Sequence, residues 1–392
     1  MSATAINPPR TGINWSIMAL MLGAFAIGTS EFAAMGLLPW FAADFGATDA
    51  QAGHVISAYA LGVVFGAPVM AVLGARLPRR RYLAMLIGAY GVLNLIAAFA
   101  PGLATLTLFR FLAGVPHGAF LGVSMVFAAE QLPREHRARG AAQVLLGLTI
   151  ANIAGVPLAG ALGQGLGWRW GFALPGVIGL MSAALILQVG ARGHSNPNAR
   201  PLDELRALRN PAVLLVLLFG AVGCGGLFAV YSYMSAAILA TTQGPGWVVP
   251  GALSLFGIGM TISNIVAGRL TDRSIWGTAL GFVLFMIFGQ IFAAFAVGSW
   301  PLMMIASLLI GLGCGVVIPL QTRLMDVADK AQNMAAAMNH AAFNAANALG
   351  PWLAGMALAA GYGWRAPAWV AVGVTLVGLL LLGLCWAQSR RR

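Results

Sequence analysis

Twelve apolar runs, each about as long as a bilayer is thick and separated by short polar loops, constrain this chain more than anything else in it. A helix needs roughly 20 such residues to cross a hydrocarbon core of about 30 Å. The runs begin near Trp15, Gly53, Tyr82, Ala104, Gly140, Arg169, Ala212, Val248, Gly277, Leu302, Ala335 and Ala366. Composition agrees. Apolar residues make up 60% and charged ones 8% of the chain, and the mean hydropathy is +0.86. A soluble protein carries about 25% charged residues, so lipid must be the solvent for most of this surface. The 51 glycines and 19 prolines fit, both being commoner in membrane helices than in soluble ones. The first run extends to about Pro39 and carries Glu31. It is too long, and too acidic at its centre, for a signal-peptide core, and reads as an uncleaved first span.

The net charge of +12 raises the question of nucleic acid, and the placement of the charges answers it. With the N-terminus in the cytoplasm, 19 of the 22 Lys and Arg residues fall on the cytoplasmic side. Only Arg169 and Arg365 fall outside, and Arg110 lies within a span. That bias is topology, not a nucleic-acid footprint. It predicts a multi-pass protein of the inner (cytoplasmic) membrane, with an even number of spans and both termini cytoplasmic. Cys224, Cys314 and Cys385 lie in apolar runs with no Cys-x-x-Cys pair, so they read as packing residues, with neither a disulfide framework nor a metal site.

The longest interior polar stretch, 191–211, divides the chain into six-helix units at 1–190 and 212–392, and these units repeat. Asn152 to Gly160 matches Asn347 to Gly355, Gly167-Trp168-Arg169 matches Gly363-Trp364-Arg365, and Arg76-Leu77 matches Arg269-Leu270. The offsets are 195, 196 and 193, nearly constant, as a duplication requires. The expected fold is all-α, twelve transmembrane helices in two six-helix pseudo-repeats around a central cavity.

The chain resembles the major facilitator superfamily over essentially its whole length. The loop Gly268-Arg269-Leu270-Thr271-Asp272-Arg273 is similar to the family's cytoplasmic loop motif, and Arg110 to Gly114 to its intramembrane arginine motif. Gly147 to Pro157 is similar to the glycine-proline motif of antiporters. Gly28 to Phe32 with Met35 to Pro39, Ser57 to Gly62, and Gly114 to Phe120 resemble the arabinose and sugar-efflux branch of the drug:proton antiporters. The resemblance implies alternating access and a conformational latch at Asp272 and Arg273. In the first half Arg79 stands where that acid would be. Either Arg79 reaches Asp326 or Asp329 across the halves, or Arg79 to Arg81 simply face lipid headgroups.

Chemistry must come from charges that lipid does not tolerate, since each costs on the order of 3 kcal/mol or more at the bilayer centre. Two lie deep: Glu31, about 12 Å from the outer end of span one, and Arg110, about 9 Å from that of span four. They are level, and the resemblance, which implies that both helices line the central cavity, makes a contact between them feasible in one state of the cycle. A carboxyl that alternates between a desolvated site and a guanidinium binds a proton in the first and releases it in the second, so Glu31 is the proton-carrier candidate. A permanently ionised pair that only fixes the helices is the alternative. His117, one heptad after Arg110 and about 10 Å further inward, is either a second proton stop or a neutral histidine bonded to a neighbouring helix.

His340, Asn344 and Asn347 form a polar stripe on span eleven that suits interhelical bonding, with substrate contact by His340 and Asn344 as the alternative. Tyr231, Phe32 and Phe120 are candidate walls of a substrate cavity, although aromatics in spans commonly pack. No Ser-His-Asp set, Walker loop or metal-ligand cluster is visible, so neither an enzyme nor an ATP-driven pump is expected, and no cofactor. The reading that follows is a monomeric secondary transporter exporting sugars, drugs or metabolites by proton antiport, with protons and membrane lipids as its other partners. A proton-coupled uptake symporter on the same fold and a non-transporting membrane sensor or scaffold are the alternatives.

Overall fold

The structure is a computed structural model that describes residues 14–74, 76–133, 137–190, 210–328 and 332–390. Among these residues every regular element is helical. The first half holds α1 (Trp15–Asp44), α2 (Asp49–Gly74), α3 (Arg79–Ala98) and α4 (Leu103–Glu130). It continues with α5 (Arg137–Ile150), a π turn (Ala151–Gly155), α6 (Val156–Leu166) and α7 (Trp168–Val189). The second half holds α8 (Pro211–Gly223), α9 (Gly225–Tyr231), α10 (Met234–Thr241), α11 (Val248–Thr271) and α12 (Ile275–Ala296). Then come α13 (Trp300–Gly313), a short 3₁₀ turn (Cys314–Val316), α14 (Val317–Ala328), α15 (Gln332–Ala359) and α16 (Ala366–Ser389).

These make twelve spans: α5 and α6 form the fifth, α8 to α10 the seventh, and α13 and α14 the tenth. Eleven are long and apolar enough to cross a membrane. The remaining one, α15, carries Asn339, His340, Asn344 and Asn347, which lower its hydropathy and turn a polar stripe inward. Local chemistry sets the ends. Asn14 caps α1 by accepting from the Ser16 and Ile17 amides, Asn210 caps α8 ahead of Pro211, and Ser274 caps α12. The connections 44–49, 166–168, 296–300 and 359–366 are short, and each uses a left-handed glycine, such as Gly167 at φ 104°. They lie on one face. The other face carries Arg76, Arg79 to Arg81, Arg269 and Arg273, and is called the basic face below.

The repeat is visible in how spans cross. A Cβ on Gly62 would collide with the Phe111 carbonyl, and one on Gly114 with the Tyr59 carbonyl. In the second half Gly259 meets the Leu308 carbonyl and Gly311 the Phe256 carbonyl. All four correspondences share an offset of 197 residues. Small residues let two helix backbones touch where lipid offers no hydrophobic drive for association.

The halves meet from mid-membrane to the short-loop face. Ser57 Oγ donates to the Ala348 carbonyl at 2.9 Å, and Gln164 Nε2 to the Gly246 carbonyl at 3.0 Å. Gly53 lies against the Tyr233 hydroxyl, and Gly257 against the Asn152 carbonyl.

Candidate functional site

Glu31 sits midway along α1, buried between the halves. Its Oε1 accepts from Asn347 Nδ2 of α15 at 3.2 Å, a bond that joins the first half to the second. Glu31 and Arg110 form no ion pair in this arrangement. Among the described residues the ion pairs are Arg79–Glu130 and Arg169–Asp44. Arg110 is fully buried and held by neutral groups instead. Its Nη1 donates to Ser30 Oγ at 2.7 Å and Asn94 Oδ1 at 3.2 Å, and its Nη2 to the Ser30 carbonyl at 3.2 Å. The guanidinium lies 4.0 Å over the Tyr59 ring and 5.1 Å from that of Phe172. The depth estimate therefore holds, since Arg110 reaches the level of residue 30. Direction decides the rest. Consecutive helical residues point about 100° apart, so Ser30 faces α4 while Glu31 faces α15.

His117 is buried one heptad along α4, its Nδ1 2.9 Å from the Tyr59 hydroxyl. The Tyr59 hydroxyl lies 3.5 Å from that of Tyr90, which donates to the Ile27 carbonyl at 3.4 Å. Tyr59 thus carries Arg110 on its face and His117 at its tip. It had no assigned role in the sequence, and neither had Asn94 or Ser30. All three are uncharged, and an uncharged polar residue in an apolar span does not announce its partner.

The aromatic candidates separate. Tyr231 stacks on Phe256 at 3.7 Å between centroids, and Phe32 meets Tyr231 edge-on at 6.2 Å. The Tyr231 hydroxyl is buried with no hydrogen-bond partner among the described residues. These rings come from α1, α9 and α11 and meet across the seam between halves. Phe120 does not belong with them. Its ring packs where a Gly23 side chain would go, near Ser182 Oγ, inside the first-half core between α1 and α7. Its place on a cavity wall is corrected: the absent side chain of Gly23 makes a pocket within the bundle for it.

On α15, Asn344 bonds back to the His340 carbonyl at 3.1 Å and leaves its Oδ1 unpartnered. Asn347 is the member of that stripe that bonds to another helix among the described residues.

The latch residues are apart. Asp272 and Arg273 are exposed and make no ion pair among the described residues. Arg79 pairs with Glu130 at the end of α4, at 2.5 Å, rather than with Asp326; Asp329 lies outside the described residues. Arg80 donates to the Gly190 carbonyl at 3.3 Å and to the Leu187 carbonyl. A cation there satisfies the open carbonyls at the end of α7. Arg79 and Arg80 are therefore occupied within their own half, and neither bridges to the other or simply faces headgroups.

Comparison with known proteins agrees with this architecture. The family model described as Major Facilitator Superfamily matches residues 20–278 and 235–392. The inner membrane transport protein YdhP of Escherichia coli K12 is 37% identical over 97% of both chains. The chloramphenicol resistance protein of Streptomyces lividans is 33% identical over 92% of this chain and 94% of its own. The putative transporter AraJ of E. coli K12 is 29% identical over 94% of both. Among solved structures, a bacterial homologue of the human lysosomal transporter Spinster, inward-facing and unoccupied, superposes with a TM-score of 0.73 at 15% identity, covering 95% of both chains.

Proposed function

Because this chain belongs to the major facilitator superfamily, as a multi-pass membrane protein of the transporter kind, we propose that it is a secondary exporter. It moves small organic molecules out of the cell in exchange for protons moving in. The observation that carries this reading is Glu31: a buried carboxyl without a counter-ion, bonded across the seam to a neutral amide, one residue from the backbone carbonyl that Arg110 holds. A carboxylate isolated in this way is costly, so the site favours a protonated acid. When the halves tilt and the Asn347 bond is released, a change of rotamer brings Glu31 towards Arg110, where the ionised form is stabilised and the proton leaves. Tyr231, Phe256 and Phe32 form the apolar wall beside it, and the unpaired Tyr231 hydroxyl and Asn344 Oδ1 offer a substrate its polar contacts.

Two further considerations support the direction. A relative named for chloramphenicol resistance fits export. The basic face, read as cytoplasmic by the positive-inside rule, is the side away from the contacts that close the halves together. On this reading both termini are cytoplasmic, and the arrangement described is open inward. Asp272 and Arg273 are free here to latch the opposite state, and the two six-span units rock about the seam. One chain assembles the whole site, so a monomer suffices.

The test is transport in proteoliposomes with an imposed proton gradient, using a panel of sugars and aromatic drugs. Glu31→Gln should abolish gradient-driven transport while substrate counterflow persists. Gradient-driven transport at the wild-type rate by that variant would remove Glu31, and this mechanism with it.

A further inference from the structure

The second half has a crevice between two of its spans. It opens on the membrane side of α11 and α12 near the basic face, with a volume of about 300 Å³. Ser263, Val266 and Leu270 line one wall, Thr278, Phe282 and Phe285 the other. Along α11 it runs from Leu270 to Ser263, seven residues or about 10 Å, about two thirds of the depth of one leaflet's hydrocarbon. It is a dead end: Ser263 Oγ donates to the Gly311 carbonyl at 3.3 Å and ties α11 to the helix behind.

The first half shows one way such a gap is filled. Tyr82 is the fourth residue of α3, as Thr278 is the fourth of α12. The Tyr82 ring covers Gly74, and its hydroxyl donates to the Met70 carbonyl, plugging the gap between α2 and α3. Thr278 is too short to do this. Gly281, one turn further along, leaves the space beside it open, with nothing within 4 Å of where its Cβ would be. At that depth apolar volume not filled by a side chain is filled by a hydrocarbon chain.

The charges at the mouth select among lipids. Arg269 and Arg273 are exposed at the end of α11 and have no ion pair among the described residues. Arg323 lies 5.4 Å from the Trp276 ring. Asp272 and Asp326, both exposed, are the acids nearby in sequence, leaving these five groups net positive. We propose that this crevice is a binding site for an anionic phospholipid, one acyl chain lying between α11 and α12 and the phosphate held by Arg269 and Arg273.

The test is native mass spectrometry of the purified full chain in detergent, titrated with phosphatidylglycerol or phosphatidylcholine. Wild type should retain one phosphatidylglycerol with at least a fivefold preference over phosphatidylcholine. Thr278→Tyr, which restores the first half's plug, should lose that lipid, and Gly281→Leu, which fills the open side, should do the same if the tyrosine does not fold. Arg269→Gln with Arg273→Gln should keep a lipid but lose the preference. Equal lipid retention by wild type and the two filled variants overturns the site, and equal retention of both lipids by wild type overturns its anionic selectivity. The readout is binding alone, so it does not depend on the proposed export.

Discussion

Where the second and fourth spans cross in the first half, Tyr59 lies against Gly114, carries Arg110 on its face and touches His117. At the same crossing in the second half, the offset of 197 places Phe256, Ser307 and Cys314 at those positions. Ser307 donates to the Ala252 carbonyl at 2.6 Å, and Cys314 is a buried free thiol. The glycines that set the crossing are the same in both halves; the ionisable groups are in one. Shape and charge have thus been separated. Backbone approach is fixed by the absence of side chains, which leaves surrounding positions free to diverge. The buried charged side chains, Glu31 and Arg110, are in the first half, while the second brings a neutral amide, Asn347, and an aromatic wall to the seam.

That comparison can be broken most decisively at its charged centre. Arg110→Met removes three hydrogen bonds from a charged donor, each worth about 1.5–3 kcal/mol, so transport in proteoliposomes should fall below about 1% of wild type. Ser307→Ala removes one neutral bond of about 1 kcal/mol and should stay within about twofold. A loss in Ser307→Ala as deep as in Arg110→Met would mean that the halves share the chemistry. Packing should behave in the opposite, symmetric way. Gly114→Ala and Gly311→Ala each push a methyl onto a backbone carbonyl and should each cost about 1–3 kcal/mol in thermal unfolding. A large inequality between them would show that the crossings are not equivalent.

A finer distinction lies at the tyrosine. Tyr59→Phe keeps the ring under Arg110 and loses the hydroxyl's bond to His117 and its longer contact with Tyr90, about 1 kcal/mol of stability, with a several-fold slower proton-driven rate. Phe256→Tyr, its converse in the second half, should leave the proton-coupled rate unchanged. The smallest effect belongs to the short-loop face. Asp44 pairs with Arg169 at 2.6 Å and accepts from Trp168 Nε1, but the pair is exposed. Asp44→Asn should therefore cost a few tenths of a kcal/mol, shrinking with salt. Arg365, the repeat's equivalent of Arg169, has no ion-pair partner among the described residues, so Arg365→Gln should cost nothing measurable.

Spans, repeat and family were legible in the sequence because hydrophobic length and duplicated motifs are carried by many residues at once. Glu31 and Arg110 were legible because ionised groups in lipid are rare. Their partners were not. Whether Glu31 faces Arg110 or Asn347 depends on an angle of one residue about a helix, and period alone does not fix that angle when neighbours lie on every side. Phe120 was misplaced for a related reason: in a span, a ring in the core and a ring on a cavity wall have the same hydropathy. Arg79 was read by analogy with Asp272, whereas its actual partner, Glu130, is set by where α4 happens to stop.

The π turn in the fifth span has a mechanical consequence. Over Ala151–Gly155 the Val156 amide reaches back five residues to the Ala151 carbonyl, so the helix holds one residue more than a regular path requires. Its preceding turn packs on Gly28 of α1, while the Asn152 carbonyl rests on Gly257 of the other half. Such a surplus residue can be passed along a helix by exchanging hydrogen bonds one at a time. The fifth span therefore contains slack where it is gripped from both sides, and under the proposed rocking of the halves that slack is what the span would take up instead of unwinding.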